Sequence, residues 1–117
     1  MDLSNRVAVV TGGGSGIGMA VASAMATKGI KAIALVDMSD GVVEVAEALN
    51  ARAGRAYAVP FKGNVTDEKF RASVFDAISS QHGPVSLCVP AAGITRDELA
   101  VRIDKVTGKA RIYSQDL

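Results

Sequence analysis

Four short apolar runs, Arg6 to Val10, Ala32 to Val36, Ala56 to Phe61 and Val85 to Val89, constrain this chain more than any other feature. Between them the apolar residues recur at helical spacing. Ile17, Ala20, Val21, Ala24 and Met25 share one face of a helix that closes near Lys28-Gly29. Val42, Val45, Ala46 and Leu49 share another, with Ser39 as the predicted N-cap and Gly54 as the stop. In the third, Thr66 is the predicted cap, Asp67 and Glu68 place negative charge in the first turn, and Phe70, Val74, Ala77 and Ile78 face inward before His82-Gly83-Pro84. His82 sits where a cation complements the helix dipole. Strands that are apolar throughout, rather than at alternate positions, are buried on both faces. Joined by helices, they call for right-handed crossovers and a doubly wound parallel α/β sheet.

The pattern changes after Gly93. Val101 and Ile103, then Ala110 and Ile112, alternate with polar residues around Asp104 to Lys109, which predicts a C-terminal β-hairpin outside the parallel sheet. A single helical turn over Arg96 to Leu99 is the alternative for the stretch before it. The 117 residues suffice for one domain with its own core. With 13 basic against 12 acidic residues and no basic block, the chain has no electrostatic footprint for nucleic acid or an acidic membrane. Its N-terminus lacks a signal-peptide pattern and its apolar runs are too short to span a bilayer, so a cytoplasmic protein is expected. Lone Cys88 and lone His82 supply neither a disulfide framework nor a zinc ligand set, and Cys88, in an apolar strand, is expected to be an inert core thiol.

Five glycines fall between Gly12 and Gly18, directly between the first strand and the first helix. Gly-x-Gly-x-x-Gly does not fit them; Gly-x-x-x-Gly-x-Gly does, on Gly12, Gly16 and Gly18. Gly12 can turn sharply out of the strand, Gly16 can let a pyrophosphate approach the backbone, and Gly18 can bring the helix close to the sheet. The helix N-terminus adds unpaired N–H groups and partial positive charge. A P-loop would need Gly-Lys-Ser/Thr at the loop's end, and Met19 follows Gly18. Asp37, at the end of the second strand, can accept hydrogen bonds from ribose hydroxyls and would repel a 2′-phosphate. No Arg or Lys stands in the glycine loop or directly after Asp37, so NAD is expected over NADP. The bland alternative is that Asp37 only caps a turn.

With loop, acidic residue and alternation in place, the chain resembles the short-chain dehydrogenase/reductase family. Thr11 to Gly18, TGGGSGIG, is similar to that family's Thr-Gly-x-x-x-Gly-x-Gly signature. Asn64 to Asp67, NVTD, is similar to its adenine-contacting Asp-Val, and Pro90 to Asp97, PAAGITRD, to its Asn-Ala-Ala-Gly segment. The last run is most like 3-oxoacyl-carrier-protein reductases. The resemblance implies a Rossmann-type sheet of strand order 3-2-1-4, incomplete beside the fourth strand. It implies that Gly12, Ser15, Gly16, Ile17 and Gly18 line the pyrophosphate, Asp37 and Met38 the adenosine ribose, Asn64 and the Val65 backbone the adenine, and that Ala91, Ala92 and Gly93 pass beneath the nucleotide. Asn64 replaces the family's Asp, and Pro90 its Asn.

The family's chemistry uses a Ser on the fifth strand and a Tyr-x-x-x-Lys pair. Here Tyr57 is followed four positions later by Phe61, and Tyr113 by Leu117. The resemblance therefore covers the cofactor half of the family's architecture. The expectation is a single NAD-binding domain over residues 1–117, truncated, from an oxidoreductase that moves a hydride between nicotinamide and an alcohol or carbonyl. Its full-length form is expected to be a homo-oligomer. The alternatives are a non-catalytic dinucleotide-binding or interaction module and an inert truncated product.

Overall fold

The structure, a computed structural model, describes residues 2–91. The predicted hairpin, the alternative turn at Arg96 to Leu99, and site candidates Ala92 and Gly93 lie outside them. Strands β1 (Val7–Thr11), β2 (Ala32–Asp37), β3 (Ala58–Lys62) and β4 (Leu87–Pro90) alternate with helices α1 (Gly16–Thr27), α2 (Gly41–Ala53) and α3 (Glu68–His82). All strand pairs are parallel, and the order is β3-β2-β1-β4, as expected for a Rossmann-type sheet. Each strand lies within two residues of its sequence-predicted bounds.

The sheet lies between two apolar layers, with two helices on one face and one on the other among the described residues. On one face Ala8, Val10, Ile33 and Leu35 pack against Val21 and Met25 of α1 and Val42, Ala46 and Leu49 of α2. On the other, Val7, Val9, Ala34 and Val36 meet Val74 and Ile78 of α3, with Phe70 half-buried beside them. A helix is about 10 Å wide and strands lie about 4.8 Å apart, so one helix covers about two strands. Among the described residues α3 is the helix on that face, and a groove of about 280 Å³, lined by Val9, Thr11, Val36, Val74, Phe75 and Cys88 among others, opens beside β4. Cys88 is therefore exposed rather than a core thiol, because among the described residues α3 leaves the β4 end of that face open. Its apolar surroundings still push the thiol pKa up.

The helix ends correct two expectations. Asp67, not Thr66, caps α3: its carboxylate accepts from the N–H groups of Lys69 and Phe70 at 2.9 and 3.3 Å. Thr66 is engaged elsewhere, donating its N–H and hydroxyl to Asn64 Oδ1 at 2.9 and 2.7 Å. An ionised cap also makes the stronger hydrogen bond. At α2 the cap position is Asp40, not Ser39, and it makes no side-chain cap bond; its carboxylate pairs with Lys62 instead. Ser39 donates its N–H to Asp37 Oδ1 at 3.1 Å. Gly54 ends α2 at φ 73°, the left-handed conformation a glycine stop supplies.

The β3 edge is clamped by a side chain. Asn50 of α2 donates from Nδ2 to the Ala58 carbonyl at 2.9 Å and accepts the Ala58 N–H on Oδ1 at 2.8 Å. Tyr57, just before β3, is buried, with the Arg55 guanidinium 5.0 Å from its ring centroid. That guanidinium also donates to the Ile30 carbonyl at 2.6 Å, tying the start of β2 to the start of β3.

Candidate nucleotide-binding site

Parallel strands bring their C-terminal ends to one rim, and the sequence-predicted site residues of β1 and β2 meet there. Gly12 leaves β1 at φ 73°, a turn that L side chains resist. Ser15 then caps α1: its hydroxyl donates to the Gly12 carbonyl at 2.7 Å and accepts the Gly18 N–H at 3.0 Å. One bond closes the loop and the other caps the first turn of α1, so Ser15 shapes the turn. The N–H groups of Gly16 and Ile17, in the first turn of α1, have no intrahelical acceptor and remain available to an anion.

The glycines of the motif do different work. A Cβ on Gly18 would stand 2.4 Å from the Gly12 carbonyl oxygen and 2.7 Å from Gly13 Cα, so the helix lies against the loop only because no side chain intervenes. A Cβ on Gly16 would meet nothing within 4 Å, which leaves open space over the helix N-terminus. Gly13, which sequence reasoning did not single out, packs on β2: a Cβ there would be 2.9 Å from Leu35 Cβ. Its N–H donates to the Val36 carbonyl at 3.0 Å.

Asp37, half-buried at the end of β2, holds this loop from the side. Oδ2 accepts the Gly14 N–H at 2.8 Å while Oδ1 accepts that of Ser39. A carboxylate has about four acceptor positions, so two remain for a ligand. Met38 beside it is 66% exposed, a free apolar surface at the rim. Lys62 is the residue the sequence hid: β3 pairs with β2 so that Asp37 and Lys62 are register partners, and Lys62 reaches Asp40. Only the register, which is not written in sequence spacing, brings a cation to that rim.

The β3–α3 side fits the expectation less directly. Asn64 Oδ1 already accepts twice from Thr66, and the Val65 carbonyl accepts from Arg71 at 2.7 Å. The amide oxygen of Asn64, a residue expected to line the adenine, is thus engaged in the turn that starts α3. Ala91 is fully buried beneath the rim. Pro90 is the final residue of β4, in register with Thr11. An open helix N-terminus, a glycine-lined approach and an oriented carboxylate form a set of groups that suits a dinucleotide's pyrophosphate and ribose. Among the described residues no group of His, Cys, Asp and Glu could hold a metal ion, and no helix is long and apolar enough to cross a membrane.

The family model for short chain dehydrogenase matches residues 6–113. The chain belongs to the short-chain dehydrogenase family. It is 35% identical to the 3-oxoacyl-acyl-carrier-protein reductase FabG of Escherichia coli K12 over 103 residues, 88% of this chain and 40% of that enzyme. It is 42% identical to the D-threitol dehydrogenase of Mycolicibacterium smegmatis over 96 residues, 80% of this chain and 35% of the relative. Among solved structures, NAD-bound xylitol dehydrogenase superposes at a TM-score of 0.67 with 26% identity, covering 92% of this chain and 45% of that one. The NADPH-dependent 3-quinuclidinone reductase of Rhodotorula rubra superposes at 0.65 with 26% identity, covering 74% of this chain and 32% of that one. The chain thus spans less than half the length of these short-chain dehydrogenases, and its neighbours include users of either dinucleotide.

Proposed function

We propose that this chain forms the NAD-binding part of a short-chain oxidoreductase acting on an alcohol or carbonyl. The observation that carries the reading is the Asp37 carboxylate, fixed at the rim by Gly14 and Ser39 with acceptor capacity to spare. In this reading the Gly16 and Ile17 N–H groups take the pyrophosphate, with Gly12, Ser15 and Gly18 shaping their approach. Asp37 takes the ribose hydroxyls and repels a 2′-phosphate, and Met38 lies along the adenosine. Asn64 and Val65 lie toward the adenine, and Ala91, Ala92 and Gly93 run beneath the nucleotide. The bound nicotinamide would accept the hydride from an alcohol or, when reduced, give it to a carbonyl; these residues bind and orient it.

A second reading is a dinucleotide-binding module without turnover. The two readings share the site and part on chemistry. Calorimetric titration of the chain with NAD and NADP tests the site, and NAD should bind more tightly. Asp37→Ala removes a charged hydrogen bond worth about 1.5–3 kcal/mol, so NAD affinity should fall roughly 10- to 100-fold. An unchanged affinity, or a parent preference for NADP, would refute the reading. Hydride transfer from an alcohol to NAD, or from NADH to a carbonyl, by an NAD-binding chain would then exclude the module.

A further inference from the structure

We propose that Gly14 is a positioning residue for Asp37 and thereby sets the discrimination between NAD and NADP, an inference that rests on the cofactor reading above. Three observations converge on it. The Gly14 N–H donates to Asp37 Oδ2 at 2.8 Å across 23 positions of sequence, while Ser39 N–H holds Oδ1 at 3.1 Å. One donor on each oxygen fixes the plane of the carboxylate, a torsion that is otherwise broad. A Cβ on Gly14 would lie 2.9 Å from Oδ2, 3.2 Å from Cγ and 3.2 Å from Ser39 Oγ.

The third observation separates Gly14 from the turning glycines. Positive φ occurs at Gly12, Gly29, Gly54 and Gly83, and Gly14 is not among them. Its backbone conformation is open to alanine, so what glycine supplies there is the absence of a side chain against the carboxylate. Gly18 is also constrained by contact, but against main-chain atoms of its own loop. Gly14 abuts the acidic side chain that the cofactor reading assigns to ribose recognition. An added methyl would push Oδ2 aside, misaligning the remaining acceptor positions and shifting the charge that opposes a 2′-phosphate.

The test is a double-mutant cycle on the full chain, with NAD and NADP affinities measured for the parent, Gly14→Ala, Asp37→Ala and the double variant. Gly14→Ala should weaken NAD about 3- to 30-fold and lower the NAD-to-NADP preference, and it should have little further effect once Asp37 is already alanine. General destabilisation would weaken both dinucleotides alike and leave the preference unchanged, which would overturn the inference. So would equal losses in both backgrounds. If the parent binds neither dinucleotide, the cofactor reading falls and this inference with it; if it binds NAD but the losses add, this inference alone falls. A second measurement needs no change at Gly14: amide hydrogen exchange at Gly14 should accelerate in Asp37→Ala, and an unaltered rate would overturn the positioning role.

Discussion

Gly18→Ala offers a quantitative test of the packing argument at the glycine loop. The new Cβ would be about 1 Å inside ordinary contact with the Gly12 carbonyl oxygen, and the next atom, Gly13 Cα, is also main chain. Neither can yield by rotating. The loop they belong to is held to β2 by the Gly13 N–H on Val36 and the Gly14 N–H on Asp37. Overpacking against so fixed a wall falls at the upper end of the usual range, about 3 kcal/mol, offset by about 1 kcal/mol for alanine's better helix propensity. The net loss of about 2 kcal/mol corresponds to a melting temperature roughly 8 °C lower for a chain of this size. Gly16→Ala is the internal control: two positions away in the same helix, its Cβ meets nothing within 4 Å, so the melting temperature should hold or rise. Thermal denaturation followed by far-ultraviolet circular dichroism at one heating rate measures both. Melting temperatures for the two variants within about 2 °C of each other would refute the claim that close approach, rather than glycine content, makes Gly18 necessary.

Asn50→Ala should cost about 1–2 kcal/mol in urea denaturation, because two part-buried hydrogen bonds to Ala58 disappear; an unshifted midpoint would mean that the clamp on β3 is dispensable. Burial pushes the Tyr57 phenol above its usual range, partly countered by the charges of Arg55 and Arg52. The folded state therefore holds this proton more tightly than the unfolded chain. The resulting stability is fully present below the unfolded phenol's pKa and is lost as pH rises through and beyond it. Urea midpoints taken from neutral to strongly alkaline pH should accordingly fall less steeply in Tyr57→Phe than in the parent, and parallel curves would contradict the assignment.

The strand positions and the α/β order were legible because each apolar run is continuous and each helix repeats its apolar face. Ala32 to Val36 could not be read as a one-sided strand, and its five residues are all buried. The glycine spacing likewise marked the turn out of β1, where Gly12 takes a positive φ and Gly18 lets α1 lie against the loop, whereas a Cβ on Gly16 would meet nothing. What escaped depended on neighbours distant in sequence. Thr66 and Asp67 are both good caps, and the choice fell to Asp67 once Asn64 captured Thr66. Cys88 reads as a core residue in an apolar strand, but its exposure depends on how much of the sheet one helix can cover. Lys62 stands beside Asp37 only through the β2–β3 register. Gly13 and Gly14 look like spare loop glycines until Leu35 and Asp37 are seen against them.

The Asn50 clamp gives the sheet a direction of growth. The Tyr57 carbonyl and the Gly63 N–H bond to β2, so the main-chain groups of Ala58, Pro60 and Lys62 point away from it, toward the outer side of β3. Asn50 occupies both groups of Ala58, and Pro60 has no N–H to offer. A strand arriving from outside would find the Lys62 N–H as the outward donor left on β3. That edge offers few pairing groups to another stretch of polypeptide or to a misfolded neighbour, so enlargement of the sheet is steered to the β4 side. For protein engineering, strands grafted beside β3 should fail to pair, and permutations or fusions that place new strand beside β4 are the ones the architecture can accept.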